Sequence, residues 1–473
     1  MNIEQIYTGC LAQGAYYITS EGEAAIIDPL REVSPYLDRL KKDGVRLKYI
    51  FETHFHADFV SGHLELARKT GATIVYGPTA RPAFEAIVAE DQQVFELGKT
   101  KFQLLHTPGH TLESSCLLLV DPEGKPSALF SGDTLFLGDV GRPDLAQKAA
   151  QMSQEELAGL LYDSLYNKIM PLPDDVVVYP AHGAGSACGK HMMKETYDSL
   201  GNQKRVNYAL NQPDKEHFVH AVTEGLTPPP GYFGMNVALN KSGAHSFDEV
   251  LLHSKQALTP EEWEEITEHA NALMLDTRNG ADFARSFIPG SIHIGLDGDF
   301  APWVGALVVD VQQPILLVVD PGREEEAITR LARVGFDNVL GYLSGGIPAW
   351  IESGRVTDQV TRITAEEFAK QFDPLTAVVY DVRKESEYAA EHVQDAFNRP
   401  LAYINDWIRD VNPGQHLMLH CAGGYRSLIA ASILMSRGYR NFTEIAGGFS
   451  AISKTSIPKT DLICQSKVFS FVS

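Results

Sequence analysis

The chain has 473 residues, 40 Lys+Arg against 61 Asp+Glu, and a net charge of −21. With 44% hydrophobic and 21% charged residues it has the make-up of a globular protein of roughly three domains, which excludes disorder as its default state. The acidic balance repels phosphate backbones and anionic membranes, so neither nucleic acid nor a membrane surface is an expected partner.

The opening stretch MNIEQIYTGCLAQG lacks a basic region followed by a long apolar run, so no secretory leader is expected, and no segment is long enough to span a bilayer. Five cysteines stand far apart with no CxxC pair, a pattern of reduced thiols that places the protein in the cytoplasm.

In chain order, AYYITSEGEAAIIDPL reads as two strands around a glycine turn. LKYIFE, VFELGKTKFQLLH, SSCLLLV, SALFSG and DVVVYP continue as short apolar strands, each running into polar residues. GHLELARKTG and SQEELAGLLYDSLYNKIM have helical spacing, so the first half is a layered α/β domain. Three consecutive prolines in EGLTPPPGYFG cannot continue a helix and mark the domain's end, giving boundaries at 1–250, 251–356 and 357–473.

The second half repeats itself. LMLDTRNGADFARSF resembles VVYDVRKESEYAAEH, and GFDNVLGYLSGGIPAW resembles GYRNFTEIAGGFSAI, at a period of about a hundred residues. Each copy alternates strands with helices, the pattern of a small domain with a parallel sheet.

Chemistry-bearing residues collect at strand ends. His54, His56 and Asp58 form an HxHxD motif after LKYIFE, followed by His110 in TPGHT, Asp133 in SGDT and His182 in YPAHG. Imidazoles and carboxylates delivered by strand ends can converge on one cation while the sheet fixes their geometry. In the last repeat, Cys421 ends the strand LMLH and opens the loop Ala422-Gly423-Gly424-Tyr425-Arg426, which leads into the helix SLIAASILMSRG. Backbone N–H groups, the helix dipole and Arg426 would there stabilise an anionic sulfur.

The first half resembles the metallo-β-lactamase superfamily, an αββα sandwich with the motif HxHxDH followed by further His, Asp and His. Here Phe59 stands where the motif's last His would serve a second metal. Within the superfamily the likeness is to persulfide dioxygenases. That resemblance implies one Fe(II) per chain on His54, His110 and Asp133, with His56, Asp58 and His182 as supporting groups or remnants of a second site. It also implies a substrate-binding role for Arg142, in the loop Gly138–Asp144; the alternative is a loop arginine paired with Asp139 or Asp144.

The last repeat, with Asp381-x-Arg383, Cys421-x4-Arg426 and Gly447-Gly448, resembles rhodanese sulfurtransferases. By that likeness Cys421 carries a persulfide, Arg426 assists it, and Gly423 and Gly424 line the substrate loop. The first repeat has Asp320 where the second has Cys421, so it reads as a rhodanese-like domain without its nucleophile.

The whole resembles fused persulfide dioxygenase and rhodanese proteins of bacterial sulfide detoxification. The implied chemistry is oxidation of a small thiol persulfide, of glutathione, coenzyme A or a similar carrier, by O2 to sulfite and thiol. Sulfur transfer at Cys421 then forms or uses thiosulfate. The alternative is a thioester hydrolase of the hydroxyacylglutathione hydrolase type, working with zinc-bound hydroxide. A homo-oligomer is the base-rate expectation for such enzymes.

Overall fold

The computed structural model describes residues 1–462, so Cys464 lies outside the described residues. Within them the chain divides into two compact units. One is Met1–Glu249 with Leu331–Gly335; the other begins at Val250, lacks that short segment, and contains both repeats.

The first unit is built on two six-stranded sheets. In spatial order the first has Asn2–Thr8, Gln13–Ser20, Glu23–Ile27, Arg46–Phe51, Thr73–Tyr76 and Ile87–Val88, antiparallel at the start and parallel thereafter. The second runs Asp198–Ser199, Val177–Pro180, Pro126–Gly132, Ser115–Val120, Thr100–His106 and Val94–Leu97.

Period-two alternation explains the layering. Tyr16 and Ile18 point to the other sheet and meet Phe102, Leu117 and Phe130, while Ala15 and Tyr17 on the opposite face join Tyr36, Leu40 and Leu66 of the covering helices Ser34–Asp43 and His63–Thr70. The outer face of the second sheet is covered in the same way by the helix Gln154–Ser164, through Leu157, Ala158 and Leu161. Ser153 caps that helix in a reciprocal capping box with Glu156. The result is helix, sheet, sheet, helix. Each large side chain buried in these layers contributes roughly 1.5–3 kcal/mol.

The second unit holds two five-stranded parallel sheets of identical order. One is Ala257–Leu258, Val339–Leu343, Ile315–Val318, Leu273–Asp276, Ile292–His293; the other is Arg362–Thr364, Phe442–Ala446, Leu417–His420, Val378–Asp381, Phe397–Asn398. The repeat extends to side chains. Arg278 grips Asp276 and the Ser286 carbonyl, and Arg383 grips Asp381 and the Glu391 carbonyl, with 2.6 Å and 2.8 Å bonds in both copies. The Asp-x-Arg unit is thus a buried fastener between a strand end and the following helix, far more structural than catalytic. Among the described residues no helix is long and apolar enough to cross a membrane.

Candidate functional site

Four strand ends of the first unit deliver the predicted residues to one place. Thr53 and His54 follow Arg46–Phe51, His110 follows Thr100–His106, Asp133 follows Pro126–Gly132, and His182 follows Val177–Pro180. All are buried.

Hydrogen bonding fixes which nitrogen each histidine turns inward. Thr53 Oγ1 donates to Asp28 Oδ2 at 2.9 Å, so at 3.0 Å it accepts from His54 Nδ1–H and leaves the Nε2 lone pair free. His110 Nδ1 faces the Arg142 carbonyl at 2.9 Å; a carbonyl only accepts, so His110 Nε2 is also an open donor to metal. Those two Nε2 atoms lie 3.9 and 3.4 Å from Asp133 Oδ2, which is buried and has no hydrogen-bond partner. Two lone pairs and an orphaned carboxylate oxygen converging on one point fit a divalent cation. They form the 2-His-1-carboxylate set that leaves coordination positions open.

Electrostatics agree with the donor roles. Burial, reinforced by His56, holds His54 neutral, as a ligand must be. Burial opposes ionisation of Asp133, but His182 outweighs it and keeps that carboxyl well below its usual range. His182 Nδ1 bonds Asp133 Oδ1 at 2.8 Å and so orients the carboxylate from behind, while its Nε2 lies 2.8 Å from Asp58 Oδ2 without a hydrogen bond. Gly141 makes the approach possible. A Cβ there would fall 1.9 Å from the Asp133 carbonyl and 3.0 Å from His110 Nδ1, so no other residue lets this loop lie against both.

The His56 ring lies against that of His54, centroids 4.2 Å apart, but its Nε2 points elsewhere. Its Nε2 lies 3.0 Å from Asp28 Oδ1 and 3.8 Å from Glu52 Oε2, and Phe59 packs on its ring at 4.3 Å between centroids. Arg142 takes the alternative given for it. Its guanidinium forms two 2.7 Å bonds to Asp144 and others to the Ala187 and Thr227 carbonyls, and its backbone carbonyl faces His110. Cys188, six residues beyond His182, is buried beside Asp58 and His182. Cys116 packs in the core.

Asp28, Thr53 and Asn240 were not legible as functional. Asn240, on the helix Phe233–Ser242 beyond the prolines, donates to the carbonyls of His56 and Phe59 at 2.8 and 2.7 Å and accepts from Ser61 N–H. It clamps the HxHxD loop from a segment almost two hundred residues away.

In the last repeat Cys421 Sγ accepts the Gly424 N–H at 3.1 Å and lies 3.4 Å from Ser427 Oγ, at the start of the helix Tyr425–Ser436. Ser427 also donates to Glu444 at 2.6 Å, a buried carboxylate paired with Arg362. Arg426 forms a two-pronged bridge to Glu387 at 2.6 and 2.8 Å. Gly424 therefore contacts the sulfur directly, whereas Gly423 leaves space open beside the loop. Gly448 holds a positive φ of 55°, and a Cβ on it would meet the Cys421 carbonyl at 2.4 Å. In the first repeat, Arg323 beyond Asp320 bonds Glu326 and Asp297, so carboxylates ring that loop in place of a thiol.

Residues 8–182 match the model of the metallo-beta-lactamase superfamily, and residues 259–353 and 364–455 each match the rhodanese-like domain. A crystal structure of a metallo-beta-lactamase from Staphylococcus aureus subsp. aureus COL is similar at a TM-score of 0.64 and 30% identity, over 72% of this chain and 98% of that one. The chain belongs to the metallo-beta-lactamase superfamily, with two rhodanese-like domains following. Among curated members, the hydroxyacylglutathione hydrolase of Tolumonas auensis is 36% identical over 171 residues, 35% of this chain and 60% of that enzyme's length. Hydroxyacylglutathione hydrolase GloC of Haemophilus influenzae is 28% identical over 45% of this chain and 99% of its own length.

Proposed function

We propose that this metallo-beta-lactamase superfamily protein is a persulfide dioxygenase coupled to sulfur transfer, with its domains divided near residues 250 and 356. The observation that carries the reading is the donor set itself. His54, His110 and Asp133 aim at one point, while His56 turns to Asp28 and Glu52, and Phe59 occupies the place of a second-metal ligand. Such a set suits one Fe(II) per chain, which when bound would supply open positions and the redox chemistry that joins O2 to sulfur.

The protein's own groups would do the rest. Thr53 and the Arg142 carbonyl keep both imidazoles in their binding tautomers, and His182 fixes the orientation of the Asp133 carboxylate. The net change is RSSH + O2 + H2O to RSH, sulfite and two protons. A persulfide on Cys421, held as an anion by Gly424 N–H and the helix start, can pass its outer sulfur to sulfite, giving thiosulfate and the Cys421 thiolate. The reverse transfer uses the same contacts.

The hydrolase reading rests on the likeness to the Tolumonas and Haemophilus enzymes. Against it stands Phe59, since that chemistry normally uses two metals.

The deciding experiment is oxygen uptake by Fe(II)-loaded protein given glutathione persulfide or coenzyme A persulfide, with sulfite and thiosulfate measured in wild type and Cys421→Ser. Uptake retained in the variant, with sulfite replacing thiosulfate, is the expected result. No uptake at full iron occupancy overturns the dioxygenase reading and makes thioester hydrolysis the next assay.

A further inference from the structure

We infer that Asp28, Glu52 and His56, with His63 beside Glu52, form a second, fully buried site for a first-row divalent cation, behind the proposed catalytic one. The four residues come from rigid parts of the first unit. Asp28 follows the strand Glu23–Ile27, Glu52 follows Arg46–Phe51, His56 lies in the next loop, and His63 opens the helix His63–Thr70. None is more than 3% exposed.

Their separations suit a shared ion. Donor atoms of Asp28, Glu52 and His56 all lie within 4.8 Å of one another, with His56 Nε2 3.0 Å from Asp28 Oδ1 and 3.8 Å from Glu52 Oε2. His63 Nδ1 is 3.6 Å from Glu52 Oε1. Ligands about 2.0–2.2 Å from one ion sit at similar mutual distances.

Their hydrogen bonding is incomplete in a way that points to a ligand. Both ring nitrogens of His56, both of His63, and Glu52 Oε2 have no hydrogen-bond partner. The 3.0 Å approach of His56 to Asp28 lies outside hydrogen-bond direction, so the two groups aim past each other at a common neighbour. Native interiors seldom leave so many polar atoms unmatched in one place. Meanwhile the remaining oxygens are anchored: Ser61 Oγ donates to Glu52 Oε1 at 2.6 Å, and Thr53 donates twice to Asp28.

A cavity of about 130 Å³ lined by Ser61, His63, Glu65, Arg68 and Asn240 adjoins the cluster at His63, whose Nδ1 is 3.6 Å from Glu52 Oε1. An imidazole and two carboxylates suit an ion such as Zn2+, Fe2+ or Mn2+. Through Asp28 and Thr53 the ion would brace His54, which makes it a structural support for the neighbouring site.

The test uses the full chain, stripped with chelator, loaded with Zn2+ alone and desalted, with zinc counted per chain and located by anomalous diffraction at the zinc edge. Two ions in wild type are expected, one of them between Asp28, Glu52 and His56, beside His63. His110→Ala/Asp133→Asn should keep that ion and still gain thermal stability from Zn2+, whereas Glu52→Gln and His63→Gln should each lose it. A single zinc absent from the double variant, or a wild-type map with no peak at the four residues, overturns the inference. If the Glu52 or His63 variants do not fold, the wild-type map alone decides. The inference does not depend on the dioxygenase reading: a one-ion protein that consumes O2 with persulfide would refute only the second site.

Discussion

Phe59 lies on the ring of His56, centroids 4.3 Å apart and 31° between planes, and is itself fully buried. Phe59 thereby backs the imidazole whose Nε2 faces Asp28 and Glu52.

Asn240→Ala should loosen the whole HxHxD loop. It orphans the carbonyls of His56 and Phe59 and the N–H of Ser61, and each buried group left without a partner costs roughly 1–3 kcal/mol. Chemical denaturation should report a loss of several kcal/mol. Titration with metal should show affinity at His54, His110 and Asp133 lowered about 10–100-fold, the usual effect of removing a group that orients ligands.

The two glycine pairs should respond unequally to a methyl group. Gly448→Ala drives a Cβ to 2.4 Å from the Cys421 carbonyl at positive φ, whereas at Gly346 the nearest atom is 3.8 Å away. Gly346→Ala should cost only the left-handed penalty of about 1–2 kcal/mol. Gly448→Ala should cost more and also displace Cys421, read as a lower unfolding midpoint together with lost sulfur transfer.

Ser427→Ala removes a hydroxyl that lies 3.4 Å from Cys421 Sγ and bonds Glu444. Sulfur transfer from thiosulfate should slow about tenfold, the kinetic equivalent of ~1.4 kcal/mol. Oxygen uptake, which uses a different domain, should stay at the wild-type rate.

Acid should weaken the Arg426–Glu387 bridge. Burial alone would raise the Glu387 carboxyl, but the Arg426 guanidinium outweighs it and holds it below the usual carboxylate range. A depressed folded value contributes stability above the unfolded pKa of about 4.3 and loses it as pH falls through the folded one. Urea midpoints measured from pH 6 to pH 3 should therefore fall more steeply in wild type than in Glu387→Gln.

Much was legible in the sequence because it is written in local periods. Alternation in AYYITS assigns Tyr16 and Tyr17 to opposite faces, the spacing of Asp276-x-Arg278 and Asp381-x-Arg383 exposes the duplication, and His54, His110, Asp133 and Cys421 stand where a strand ends. The layered α/β domain and the paired parallel sheets follow from those patterns, whereas the αββα order is implied by the family resemblance. Strand ends are also where side chains leave the ladder, which is why ligand candidates could be named before any coordinates.

What only the tertiary structure decided depends on which distant atom takes each hydrogen bond. A sequence can place Arg142 in the loop after Asp133, but only the fold shows its guanidinium paired with Asp144 and two carbonyls. It can number His56 two residues from His54, but Asp28 and Glu52, from separate strands, decide where its Nε2 points. Asn240 carries no motif because its partners are backbone carbonyls, which every residue possesses and no pattern of side chains marks.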